Sequence, residues 1–156
     1  MKVLIASEGA GYALKEAVKA HLIQAGHEIV DVGMTEGNPV SYPAAGAAIA
    51  KALQQGVAKK AIAICGSGAG VCVTANKFKG VYAVTCESVA TAKGIPVIND
   101  ANVLAMGGNV VSAADACAMA DAYLAAGFVQ DFPAERAAYV ENLLNDLKAI
   151  EDENFK

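Results

Sequence analysis

The run Cys65-Gly66-Ser67-Gly68-Ala69-Gly70 is where residue types and spacing in this chain could do chemistry. An apolar stretch, 61–65, leads into it, and a helical pattern to about Phe78 leaves it. Glycines directly behind a strand let backbone N–H groups crowd around a ligand. The N-terminus of the following helix adds partial positive charge. Such a cradle of Gly66, Gly68, Ala69 and Gly70 amides suits a phosphate, a carboxylate or an enediolate oxygen. Cys65 stands where strand meets loop, a place that favours a thiolate able to act as nucleophile or general base. A small buried core residue is the competing reading for it. Ser67 could donate a hydroxyl into the same pocket or simply cap the turn. Glu8 and Gly9 follow the first apolar run and put a carboxylate at the same sheet edge, as an acid, a ligand for a substrate hydroxyl or a plain loop charge. The glycine run matches G-x-G-x-x-G only loosely, and no acidic residue stands where a ribose would need one.

Other chemistries find less support. His21 falls inside the first helix and His27 follows its closing Gly26, so neither is placed for a Ser–His–Asp arrangement. No His, Cys and carboxylate cluster has zinc spacing, and no metal or cofactor is expected. Cys72, Cys86 and Cys117 lie in apolar surroundings and read as core thiols. The even number of cysteines would permit disulfides, but the pattern is that of reduced thiols in a cytoplasmic protein.

The positioning elements follow from hydrophobic period and punctuation. Apolar runs at 3–6, 28–32, 61–65, 81–85 and 103–106 read as strands. Between them, helices are expected from about Ala10 to Ala25, Tyr42 to Gln55 and Ala69 to Phe78. A short helix is expected at 87–94, interrupted at Ile95-Pro96. Ser112 caps a helix to about Ala126, and a last helix runs from about Pro133 to Ile150, with a polar tail, 151–156, that frays or extends onto a neighbour. Strands that are apolar at every position and alternate with helices predict a parallel sheet covered on both faces, a three-layer α/β/α fold with five strands plus a C-terminal helix. In such sheets ligands sit beyond the C-terminal strand ends. That draws attention to Ser7-Glu8-Gly9, Cys65–Gly70 and Thr85-Cys86-Glu87, and to Ile98-Asn99-Asp100 before the fifth strand. The chain divides into an α/β domain, 1–130, and a C-terminal helix and tail, 131–156, expected to pack on a dimer partner.

Composition narrows the class. The chain has 156 residues, 55% of them hydrophobic, with a net charge of −4. Its size suffices to bury about two-thirds of the unfolded surface without a staple, and its apolar content excludes disorder. Mild acidity without a basic stripe argues against nucleic acid. The N-terminal apolar run is too short for a signal segment or a membrane span. Arg136 is the only arginine, and lysine does not replace arginine at bidentate phosphate sites.

Several strings occur in a telling order: Ser7-Glu8-Gly9-Ala10-Gly11-Tyr12, Leu14-Lys15-Glu16, Asp31-Val32-Gly33, Tyr42-Pro43, Ile64 to Gly70, Ala75-Asn76-Lys77 and Asn99-Asp100-Ala101-Asn102-Val103-Leu104. Residues 1 to about 128 thereby resemble the ribose-5-phosphate isomerase type B and galactose-6-phosphate isomerase family. The resemblance implies a Rossmann-like fold, a homodimer (a tetramer being the larger option) with active sites at the interface, and aldose–ketose isomerisation of a sugar phosphate through a cis-enediol. It implies Cys65 as the base, Ser67 as its helper at the substrate oxygens, the Gly66–Gly70 amides as the hole for the enediolate, and Asn99 as a holder of the intermediate. Asp100 and Arg136 join the substrate-binding set.

The departures from that family matter as much. Its first loop usually reads Asp-His where this chain has Glu8-Gly9, and the histidine before Asn-Asp is Ile98 here. Those histidines are associated with ring opening, so their loss suggests an open-chain substrate such as a tetrose or tetrulose phosphate. The family's phosphate-clamping arginines are replaced at Asn109 and near Pro96, leaving Arg136, with Lys15, Lys77 or Lys93 as possible helpers. An alternative expectation is a non-catalytic or partner-dependent subunit of a heteromeric isomerase.

Overall fold

Val3-Leu4-Ile5-Ala6 and Ala61-Ile62-Ala63-Ile64 are apolar at every position, so a strand made of either must be covered on both faces. In the computed structural model, which describes residues 1–155, both are central strands with fully buried interiors. The sheet contains β1 (Lys2–Ser7), β2 (Glu28–Asp31), β3 (Lys60–Cys65), β4 (Ala83–Thr85) and β5 (Val103–Gly107). All its pairings are parallel, in the order β2-β1-β3-β5-β4. Among the described residues there are six α-helices: α1 (Tyr12–Gln24), α2 (Tyr42–Gln54), α3 (Ala69–Ala75), α4 (Val89–Asn99), α5 (Ala113–Ala125) and α6 (Ala134–Asn154). The expected five-stranded parallel α/β/α architecture is what the chain forms.

The period of two sorts each strand between two cores. Val3 and Ile5, Ile62 and Ile64, Leu104 and Met106 face α1, α4 and α5. Leu4 and Ala6, Ala61, Ala63 and Cys65, Val103 and Ala105 face α2 and α3. The second layer is built from small residues, and α2 lies close to α3. A Cβ on Gly46 would come within 2.8 Å of Thr74 Cβ. Serine side chains close the orphan N–H groups of three helix starts: Ser41 Oγ accepts from Ala44 N, Ser88 Oγ from Thr91 N and Ser112 Oγ from Asp115 N.

Two expectations are corrected. Pro96 does not end α4, which continues to Asn99 and stops only where Asp100 takes a left-handed conformation at φ 51°. Ile95 and Pro96 are both buried, and that burial offsets the one helical hydrogen bond a proline forgoes. The chain end is not frayed through Asn154 either. Glu151 belongs to α6 and accepts hydrogen bonds from Gly80 N at 2.7 Å and Tyr82 Oη at 2.9 Å. Phe155 follows the helix, and Lys156 lies outside the described residues.

An ion cluster ties α1 to the loop after β2. Lys15, fully buried, places its ammonium 2.6 Å from Asp31 Oδ2 and 3.1 Å from Glu16 Oε1, and it also donates to the Met34 carbonyl. Lys19 reaches the same Asp31 oxygen at 3.0 Å, and Gly33 N donates to Asp31 Oδ1. Met34 N in turn donates to Ser7 O at 2.8 Å, at the end of β1. Burial works to raise the Asp31 carboxyl, but the two ammoniums and the Gly33 N–H outweigh it and hold Asp31 below its usual range. No helix among the described residues is long and apolar enough to cross a membrane.

Removing one member of a buried ion pair strands the other. Lys15→Met is therefore expected to cost about 3 kcal/mol of unfolding free energy at neutral pH, read by urea denaturation. Asp31's contribution is present in full above the ordinary carboxylate range and is lost as pH falls through its lowered folded value. The variant should accordingly lose less stability than the parent on acidification; an equally steep acid limb in both proteins would count against the assignment.

Candidate active site

The strand order turns back between β1 and β3: β2 lies beyond β1 on one side, and the later strands lie beyond β3 on the other. At such a switch point the loops diverge and leave a crevice beyond the strand ends. Ser7, the last residue of β1, pairs with Ile64, next to Cys65 at the end of β3. A cleft of about 430 Å³ opens there, lined by Glu8, Ala10, Tyr42, Cys65, Gly66, Ser67 and Gly70. Glu8, Cys65, Ser67 and two loop glycines, nominated separately from the sequence, thus share one cavity.

Each is held by a local reason. Gly108 N donates to Cys65 O at 2.8 Å and Asn109 N to Gly66 O at 3.0 Å, which locks the loop after β3 to the turn after β5. Gly68 sits at φ 82°, and a Cβ there would stand 2.9 Å from the Met106 carbonyl carbon, so both conformation and space demand glycine. It precedes α3, whose first-turn N–H groups have no partner within the helix. Ser67 Oγ accepts from Ala69 N at 3.3 Å, leaving its own hydrogen free to donate. Glu8 Oε1 accepts from Gly11 N at 3.0 Å and caps the 3-10 turn Gly9–Gly11. Its second oxygen remains for a substrate proton or hydroxyl. Cys65 is 5% exposed, at the boundary between core and cleft. The arrangement offers a sulfur, a carboxylate oxygen, a hydroxyl and backbone donors around one small space, the set needed to move a proton next to a carbonyl and stabilise the oxyanion that results.

The other thiols behave as core groups. Burial pushes the Cys86 thiol up to about 11, with Cys72 adding to it, and burial also raises Cys117, helped by Asp121. Cys72 Sγ lies 3.3 Å from Ala83 O as a donor. His21 pairs with Asp121 at 2.9 Å, between α1 and α5, and His27 lies beside the chain's first amine. No group of three or more potential metal ligands occurs among the described residues.

Three nominated residues lie elsewhere in this chain. Asn99 and Asp100 end α4 at the edge where the strands begin, and the Asp100 charge acts on Lys60, the first residue of β3. Five residue steps of about 3.3 Å separate Lys60 from Cys65, roughly 17 Å. Arg136 lies in the first turn of α6, stacked 4.1 Å from the centre of the Phe132 ring. It lines a separate cavity of about 450 Å³ with Lys93, Val97, Ile98 and Asp131. Lys15, a candidate helper for an anion, is committed to Asp31, Glu16 and the Met34 carbonyl. The cleft also uses two residues not singled out for it, Ala10 and Tyr42. The Tyr42 ring packs against Gly70, where a Cβ would stand 2.7 Å from its Cδ2.

The family model described as Ribose/Galactose Isomerase matches residues 3–140, and the chain belongs to that family. It is 39% identical to the 4-deoxy-4-sulfo-D-erythrose isomerase of Clostridium sp. (strain MSTE9), over 100% of this chain and 99% of that one. It is 38% identical to D-erythrulose-4-phosphate isomerase 2 of Mycolicibacterium smegmatis (strain ATCC 700084 / mc(2)155), over 71% of this chain and 75% of that one. The Clostridium thermocellum ribose-5-phosphate isomerase B structure superposes with a TM-score of 0.87 at 33% identity, covering 98% of this chain and 99% of that one. The chain is thus an enzyme of the isomerase class, acting on sugars.

The Tyr42–Gly70 contact yields a test. Gly70→Ala must displace the ring, and Tyr42 is half exposed, so the ring can swing away at a stability cost below about 1 kcal/mol. A wall displaced by an ångström or more should lower kcat/KM by about tenfold or more. In the Tyr42→Ala background the same substitution should have little further effect, read as a double-mutant cycle in kcat/KM.

Proposed function

We propose that this chain interconverts the aldose and ketose forms of a four-carbon, open-chain sugar with an anionic group at C4, through a cis-enediol, with Cys65 as the base. The observation that carries this reading is the convergence of Cys65, Ser67, Glu8 and the Gly66–Gly70 backbone on one cleft. The Cys65 thiolate takes the C2 proton of the aldose, and the electrons move into a C1–C2 double bond with negative charge on O1. The loop amides and the Ser67 hydroxyl hold that oxygen. Glu8 relays the proton between O2 and O1, and the thiol returns its proton to C1 to give the ketose. No redox partner is needed, because C1 is reduced as C2 is oxidised within one molecule.

The length of the substrate follows from chemistry as well as from likeness. The relatives named for short sugars act on C4-substituted tetroses, one carrying a sulfonate and the other a phosphate. With C4 blocked, no hydroxyl remains that could close a five-membered ring on C1. A site for such a molecule needs no group to open a ring, in keeping with Gly9 and Ile98 where ring-opening histidines are expected.

The active unit is a homodimer in this reading, with tetramers as a higher assembly. Asn99, Asp100 and Arg136 lie away from their own Cys65 and can join a cleft only by way of a second copy. Segment 131–156 supplies the means: Tyr139, Leu143, Leu147 and Ile150 recur at helical spacing on α6 and are exposed, Tyr139 and Ile150 by 63% each. The free cysteines and a phosphorylated or sulfonated metabolite suit the cytoplasm.

A panel of phosphorylated, sulfonated and free aldoses and ketoses, followed by NMR in deuterated water, tests the reading. Turnover with deuterium incorporation at C1 or C2 is expected for tetrose derivatives. Cys65→Ala should retain the fold and lose at least about 1,000-fold in rate. Inactivity of the pure protein with activity on adding a second chain would instead support a partner-dependent subunit.

A further inference from the structure

Asn109 lies in the turn after β5, and its side chain is exposed. Its Nδ2 is 3.2 Å from the point where a Cβ on Gly66 would stand, and the Ala10 methyl is 3.4 Å from the same point. Gly66 and Ala10 both line the cleft, so this carboxamide stands at its rim. The backbone bond from Asn109 N to Gly66 O fixes the turn relative to Cys65. The cleft lining carries one carboxylate, Glu8, and neither lysine nor arginine. A second negative charge on a substrate would meet Glu8 with no cation of this lining to offset it. An amide N–H can hydrogen-bond an anionic oxygen while adding no charge.

We infer that Asn109 is a specificity-determining residue: its Nδ2 donates to the terminal anion of the substrate, and its neutrality matches the site to a singly charged sulfonate over a doubly charged phosphate. The inference rests on the short-sugar isomerase reading, in which Arg136 of a second copy supplies a guanidinium; Lys93 and Asp131, which line the same cavity, carry opposite charges. With a neutral donor at position 109 the site carries one positive charge fewer than with an arginine there, which disfavours a second negative charge on the substrate.

The test compares kcat/KM for C4-sulfonated and C4-phosphorylated erythrose in the parent, Asn109→Ala, Asn109→Gln and Asn109→Arg. The parent should favour the sulfonate. Asn109→Arg should move the ratio toward the phosphate by about tenfold or more, chiefly through KM. Asn109→Ala should raise KM for the sulfonate, and Asn109→Gln, which keeps the amide, should restore part of the loss. A parent that prefers the phosphate, or a folded Asn109→Arg with an unchanged ratio, overturns the inference. Thermal shifts with the unreactive four-carbon acids bearing a C4 sulfonate or phosphate are read alongside. If neither sugar turns over, the isomerase reading fails while these shifts still report the charge preference. If the sugars turn over and neither readout moves with position 109, the inference alone fails. Should Asn109→Arg not fold, equal sulfonate KM values in the parent and Asn109→Ala overturn it.

Discussion

The loops after β1, β3 and β5 meet backbone to backbone, and the cleft exists because of that contact. A Cβ on Gly11 would stand 2.7 Å from the Ile64 carbonyl oxygen, and one on Gly108 would stand 2.5 Å from the Ala10 carbonyl oxygen. Glycine is the residue that permits such an approach. With the chains this close, Gly108 and Asn109 can donate to Cys65 and Gly66, and Glu8 can cap the turn that carries Ala10 and Gly11. Cys65, Glu8 and Asn109 come from three different strand ends yet are held by one short network. The geometry of the reacting groups is therefore set by backbone contacts, which shift less than long side chains do.

The buried Lys15 cluster extends that network behind the cleft. It anchors α1 to Asp31 and to the Met34 carbonyl, and Met34 N reaches back to Ser7 O. The strand end that carries Glu8 is thus fastened from its far side. A lysine used this way is removed from ligand binding, because its charge is already balanced by Asp31 and Glu16. The cleft is left with a carboxylate and a thiol but no cation of its own lining.

Much of the fold was legible because its signals are local. Strands apolar at every position, serines before helices and Gly26 after α1 each act within a few residues, and the sheet followed from them. Pro96 misled because the burial that carries α4 past it is tertiary. Lys15 looked free because Asp31, its partner, lies in the next strand, sixteen residues away. Cys65, Ser67 and Glu8 were readable as a site because each directly follows or ends a strand. Asn99 and Asp100 precede β5, and that alone puts them at the opposite sheet edge. Their membership of the site came from family likeness, and position along the strand separates them from Cys65. Tyr42 carried a weak signal, a tyrosine at a helix start behind the β2 loop, but its seat on Gly70 depends on how α2 meets α3.

The replaced residues are coherent when taken together. Glycine at position 9 and isoleucine at position 98 remove groups suited to opening a ring, and a C4-blocked tetrose has no ring to open. Asparagine at position 109, where the family carries an arginine, leaves the cleft rim one positive charge poorer and so less hospitable to a dianion. A monoanion on a four-carbon chain suits both changes at once. The thiol of Cys65, the Glu8 carboxylate, the Ser67 hydroxyl and the loop glycines stand beside one another in the cleft. Ser67 is exposed, as Gly9 and Asn109 are, so packing alone does not preserve it once catalysis is not selected. Retention of the reacting centre beside a rebuilt periphery is the pattern of a changed substrate, because proton transfer between C1 and C2 is the same step for any aldose, whereas ring and tail are what distinguish one sugar from the next.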